Sequence, residues 1–172
     1  MVSKRLPTAV AALACLVLAA LGLGLAACGE KEEPDLSSAT TAPEPRAAEV
    51  AGDWTGQLTQ KGLAPFQVAV RIEPAGSGTV AYTGINCGGV WALGPVRPAE
   101  GSTVPRFFFR ETIQSGAGGS CKGNGSVTIT PAGGSLSYEF VGGRAESRGT
   151  LTSTDAAGLA PVFQQAGLPA PG

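Results

Sequence analysis

From Gly52 to about Thr152 apolar and polar residues alternate with a period of two, the spacing of half-buried β-strands. Trp54, Gly56 and Leu58 alternate with Asp53, Thr55, Gln57 and Thr59, and Phe66, Val68, Val70 and Ile72 alternate with Gln67, Ala69, Arg71 and Glu73. Val80 and Tyr82 repeat the scheme, and Val90 to Val96 reads as a more fully apolar strand. Phe107 and Phe109 alternate with Arg106, Phe108 and Arg110, continuing toward Glu111 and Ile113. Val127 with Ile129, then Leu136, Tyr138 and Phe140, then Thr150 to Thr152, complete the series.

Glycine-rich breaks separate these runs, among them Gly123-Asn124-Gly125, Gly133-Gly134 and Gly142-Gly143. Connections so short suit hairpins. About eight strands at this spacing, with no convincing helical period, predict an all-β fold. The expected form is a single antiparallel meander over residues 51–152, closing as a small lipocalin-like barrel or packing as a sandwich. Asp155 to Gly172 is rich in Ala, Gly and Pro, so residues 153–172 read as a flexible C-terminal tail.

The N-terminus has a different pattern. Lys4 and Arg5 precede an apolar run from about Val10 to Leu25, the charged and apolar regions of a secretory leader. That run has about 16 residues, short of the roughly 20 that span a bilayer. It ends in Leu25-Ala26-Ala27-Cys28, which resembles the bacterial lipobox, where the cysteine is diacylated and becomes the first mature residue. The resemblance implies a cleaved leader over 1–27, palmitate-type acylation at Cys28, and attachment to the outer face of a bacterial cell membrane. Two acyl chains give stable anchoring where one does not. Residues 28–50 then read as the lipidated cysteine and a disordered tether, since Glu30 to Asp35 is charged and Ser37 to Pro45 is Ser/Thr/Ala/Pro-rich.

Without the leader, two of the 12 Lys and Arg residues are lost while all 13 Asp and Glu remain. The mature chain is mildly acidic and carries no basic footprint for nucleic acid. Of the four cysteines, Cys15 goes with the leader and Cys28 takes the lipid. Cys87 and Cys121 remain as an even pair in an oxidising compartment, which predicts a disulfide. It closes a loop of about 35 residues, worth roughly 4 kcal/mol by chain entropy. No metal or cofactor is expected, because two thiols without histidine do not complete a zinc site.

Several stretches resemble one family. Gly52-Asp53-Trp54-Thr55-Gly56 opens the domain, Tyr82-Thr83-Gly84-Ile85-Asn86-Cys87-Gly88-Gly89 lies at its centre, and Glu111-Thr112-Ile113-Gln114-Ser115-Gly116 leads to Cys121. This order is similar to a small secreted β-domain of high-G+C Gram-positive bacteria, found in lipoproteins and in the extracellular part of some membrane serine/threonine kinases. The resemblance implies an extracytoplasmic position and the Cys87–Cys121 disulfide; it implies no reaction. Thr83-Gly84 stands where such domains tend to have proline-serine. The Gly-x-Trp opening also resembles lipocalins, over three residues.

The chain contains no histidine, so the commonest general base is missing and no Ser-His-Asp or Cys-His arrangement exists. No catalytic residue is assigned, and the protein is not expected to be an enzyme. A carboxylate-pair hydrolase remains the weakest alternative, with Asp53, Glu73, Glu100, Glu111, Glu139 and Glu146 as the domain's acids. Glu111, beside Arg106 and Arg110, is expected as an exposed strand charge paired with arginine. Trp91, Phe108, Arg110 and Glu111 form the candidate binding patch. The leading expectation is a lipid-anchored lipoprotein whose β-domain binds or senses an envelope protein or a small ligand. A lipid-anchored inhibitor of an envelope hydrolase is the second, because small anchored barrels that block lysozymes are similar in architecture.

Overall fold

The computed structural model describes residues 46–116, 121 and 124–171; the leader, Cys28 and the tether as far as residue 45 lie outside the described residues. Eight antiparallel strands follow in chain order: β1 (Gly52–Gln60), β2 (Phe66–Ile72), β3 (Ser77–Tyr82), β4 (Cys87–Pro98), β5 (Pro105–Ser115), β6 (Gly125–Ala132), β7 (Ser135–Gly142) and β8 (Ala145–Thr154). Each pairs with the next, and β8 returns to pair with β1, so the sheet is a closed barrel rather than a sandwich.

The two-residue period has a direct structural meaning, because side chains of alternate parity enter the barrel and the rest face outward. Val68, Val70, Val80, Phe107, Val127, Ile129 and Leu151 are completely buried in one interior core. Each such aliphatic or aromatic side chain contributes on the order of 1.5–3 kcal/mol by leaving water. The run Val90 to Val96 is apolar on both parities because β4 is irregular. A register shift between Leu93 and Val96 lets both pack against the core.

The two ends of the barrel differ. At one end the chain enters through a single 3-10 turn, Ala47–Glu49, with Val50 completely buried. The Trp54 indole N–H donates to the Val50 carbonyl at 3.0 Å, and on the outer face Arg71 clamps Asp53 across β1 and β2 with two contacts of 2.7 Å. Residues 46–50 therefore belong to the folded unit, not to the tether. The entering turn is held because Val50 and Trp54 remove apolar surface from water together. The opposite end carries the connections β1–β2, β3–β4, β5–β6 and β7–β8. There the Cys87–Cys121 disulfide, with 6.4 Å between Cα atoms, ties the start of β4 to the β5–β6 connection.

The expected flexible tail is corrected in part. Strand β8 runs on to Thr154, and Ala156–Gln165 forms a helix, α1. Its N-terminus is capped by Asp155, whose carboxylate accepts from the Gly158 N–H at 2.9 Å. Leu159, Val162 and Phe163 occupy one face at helical spacing and are buried. They pack on Ala69 and Ala81, which lie opposite each other on the outer face of β2 and β3, with Gly88 next in the row on β4. This row of small residues lets the helix come close. A Cβ at Gly88 would stand 2.1 Å from Leu168. Pro161 inside α1 lacks the N–H that a helix interior uses, which is why the segment does not read as helix. Packing against the barrel outweighs that local cost.

Replacement of Phe163 by Ala is expected to lower stability by about 3 kcal/mol, the cost of a buried aromatic truncated to Ala. Urea unfolding measures it, and an unchanged midpoint would show that α1 contributes nothing.

Candidate functional site

The barrel interior is apolar except at the end bearing the disulfide, where several inward positions carry polar atoms. Glu111 follows Phe107 and Phe109 on the inward parity of β5 and is only 2% exposed. The β4–β5 register sets Trp91 directly opposite it. Inward positions at the end of β3 and in the middle of β7 place Tyr82 and Tyr138 beside the same carboxyl group.

These four side chains form one hydrogen-bonded chain. The Trp91 indole N–H donates to Glu111 Oε2 at 2.9 Å, and the Tyr82 hydroxyl donates to the same oxygen. Since Tyr82 spends its proton there, the Tyr138 hydroxyl donates to Tyr82, at 3.0 Å. The Trp91 ring also stacks at a tilt on Phe109 and Tyr138, with centroids 5.3 and 6.1 Å away. Every donor thus has an acceptor, which burial requires.

The charge on Glu111 is not balanced in the same way. Among the described residues the ion pairs are Arg71–Asp53 and Arg106–Glu139, both on the outer face; no cation pairs with Glu111. Burial pushes its pKa above the ordinary carboxylate value, against the opposing pull of the bonds from Tyr82 and Trp91. Burial, followed by the neighbouring acidic groups, raises both tyrosines well above their usual range. Their hydroxyls therefore remain protonated donors at any ordinary pH.

Glu111, Tyr82 and Tyr138 line a cleft that opens at the disulfide end, with Phe66, Ile113 and Phe140 among its apolar walls. Ile85, Cys121, Asn124 and Ala145 belong to its lining from the connections and strand ends there. Gln60 and Ser147 add a polar edge, with Ser147 Oγ 2.6 Å from Gln60 Oε1. The cleft measures about 40 Å³, room for a small head group or a few waters rather than a drug-sized molecule. Phe140 owes its place to two glycines. A Cβ on Gly125 would lie 2.2 Å from its ring and one on Gly142 2.5 Å, so the ring lies where side chains would otherwise stand.

The candidate patch of Trp91, Phe108, Arg110 and Glu111 is divided by the barrel wall. Trp91 and Glu111 face inward and meet; Phe108 and Arg110 have the opposite parity and face outward. Glu111 is not an exposed charge paired with arginine. Alternation puts it on the same face as Phe107 and Phe109. Phe108 is half-buried, with the Arg106 guanidinium 5.5 Å from its ring centroid and Glu139 3.3 Å from that arginine. Tyr82 and Tyr138, which sequence reasoning assigned only to the core face, complete the site. Their signature was available: two tyrosines and a glutamate on inward parity, each with a polar atom that burial obliges to find a partner. The described lining holds one carboxylate, Glu111, and no group of three or more metal-binding side chains occurs among the described residues.

A buried acid with a raised pKa makes stability depend on pH. The native state holds the Glu111 proton to higher pH than the unfolded chain, so this group favours folding most strongly below its ordinary pKa. That contribution is lost as pH rises through the raised value. Glu111→Gln retains an oxygen for Trp91 and Tyr82 without the charge. It is expected to raise the melting temperature at pH 7 by on the order of a few degrees, with the gap closing below about pH 4.5. Thermal unfolding across that range checks this, and a gap independent of pH would contradict it. No protein-family model matches the chain, and no curated protein or solved structure matches it.

Proposed function

We propose that this protein is a lipid-anchored extracytoplasmic binding protein, held to the membrane through Cys28, whose barrel receives a small ligand or chain end in the cleft floored by Glu111. The observation that carries the reading is the buried Tyr138–Tyr82–Glu111–Trp91 chain lining an open end of the barrel. A purely structural interior would favour apolar side chains there, because a buried carboxylate without a cation costs stability. The group is retained at a cost, at a place a ligand can reach. Cleft size favours a head group over the bulky apolar cargo of a wide barrel.

The anchor rests on the lipobox-like Leu25-Ala26-Ala27-Cys28, and the Cys87–Cys121 disulfide suits an oxidising compartment. The chain enters the barrel at the end opposite the cleft. If residues 28–45 form the coil that their composition predicts, they would reach on the order of 25 Å, enough to leave the cleft accessible beside a membrane.

Cys28→Ser is expected to move the protein from the membrane fraction to the soluble one, and unchanged partitioning would sink the anchor. The cleft is tested on the full ¹⁵N-labelled chain with small cationic, anionic and neutral molecules. At least one class is expected to shift the indole N–H resonance of Trp91 and spare that of Trp54 at the other end. A Trp91 resonance indifferent to every class would remove the binding reading.

A further inference from the structure

We infer that the cleft recognises a primary ammonium group, carried by a small molecule or at the end of an alkyl chain; this rests on the cleft being the binding site proposed above. Three independent features select that chemistry. The first is charge. Glu111 is the one ionisable acid in the described lining, no lysine or arginine is in it, and no described cation pairs with the carboxylate. Against the described lining an anionic ligand would meet repulsion from this carboxylate, whereas an ammonium group would pair with it.

The second feature is the surrounding rings. Phe66, Tyr82, Tyr138 and Phe140 all belong to the lining, and aromatic side chains attract cations through their π-systems. With the carboxylate they make a pocket that is apolar toward an alkyl chain and electron-rich toward its charged end. Phe140 is held in place by Gly125 and Gly142, whose missing side chains leave room for its ring.

The third feature is hydrogen bonding and size. Among the described residues both hydrogen bonds to the Glu111 carboxylate end on Oε2, from Tyr82 and Trp91, so Oε1 is the oxygen left to a ligand. A primary ammonium group has three donors, and the polar edge at Gln60 and Ser147 offers acceptor oxygens as well. A quaternary ammonium has no N–H to give. Its methyl groups also hold the charged nitrogen farther from the carboxylate oxygen than an N–H···O bond does, which weakens the pairing.

The test uses n-butylammonium as probe, with n-butanol as its neutral counterpart of equal length and butyltrimethylammonium as the bulky cation. Each is titrated into the full chain at neutral pH, and the indole N–H resonances of Trp91 and Trp54 are followed. Butylammonium is expected to shift Trp91 and leave Trp54, and to bind at least about tenfold more tightly than either comparison probe. Glu111→Gln is expected to weaken butylammonium by at least about tenfold, the usual scale for removing one partner of a buried charge pair, and to leave butanol nearly unchanged. Equal binding of butanol and butylammonium would overturn the ammonium assignment and leave the cleft a binding site. So would binding of butylammonium that survives Glu111→Gln. If none of the probes moves Trp91, the ammonium assignment falls, and the binding reading falls with it only if the wider set of molecules also fails. Should Glu111→Gln not fold, the comparison of probes on the unaltered chain decides.

Discussion

The pairing of β1 with β8, in register from Asp53 opposite Thr154 to Gln60 opposite Ser147, closes the sheet on itself. With that seam made, no strand among the eight keeps an unpaired edge, and alternate side chains enclose an interior that water reaches only at the ends. Everything else follows from this enclosure. Valines and phenylalanines on inward parity gain their burial from it. The acidity of Glu111 is altered by it, because the same position on an open sheet would be solvated. A seam slipped by one residue would turn each inward side chain outward, so the hydrophobic pattern and the closure enforce each other.

The ends of the barrel put that enclosure to different uses. At the chain-entry end, Val50 and the Trp54 indole shut off the interior, and the outer Asp53–Arg71 pair supports the strands there. At the other end a disulfide ties the start of β4 to the β5–β6 connection, and the interior turns polar. One end is closed by packing, while the end tied by the disulfide carries the energetically unfavourable acid. A buried acid without a cation among the described residues is a cost that packing elsewhere in the barrel offsets.

Helix α1 shows how the outer wall contributes. Ala69, Ala81 and Gly88 form a strip of small residues across three strands; Leu159, Val162 and Phe163 cover the alanines with apolar surface, and Leu168, just beyond the helix, lies over Gly88. Ala69 is the one polar-parity position in β2 that is both apolar and small. Its complement is a segment some 90 residues later in the chain, and neither half announces the other.

Local order was legible because a strand's inward and outward positions are written directly in residue alternation. All eight strands, the hairpin breaks and the Cys87–Cys121 pair follow from adjacent residues and simple chemistry. Closure as a barrel rather than a sandwich was not legible, since both use the same alternation and differ only in what β1 and β8 pair with. The same limit explains Glu111. Its parity, two residues beyond Phe109, already placed it inside, but an isolated charge in a strand ordinarily solvates a surface, and Arg110 directly precedes it. Only the tertiary structure brought Trp91, Tyr82 and Tyr138 to one carboxylate from three other strands. By itself the sequence determined which residues could be inside and, through Leu25 to Cys28, an expected address. The closed barrel decided which of them meet, because hydrogen bonds and desolvation act between neighbours in space, whatever their separation along the chain.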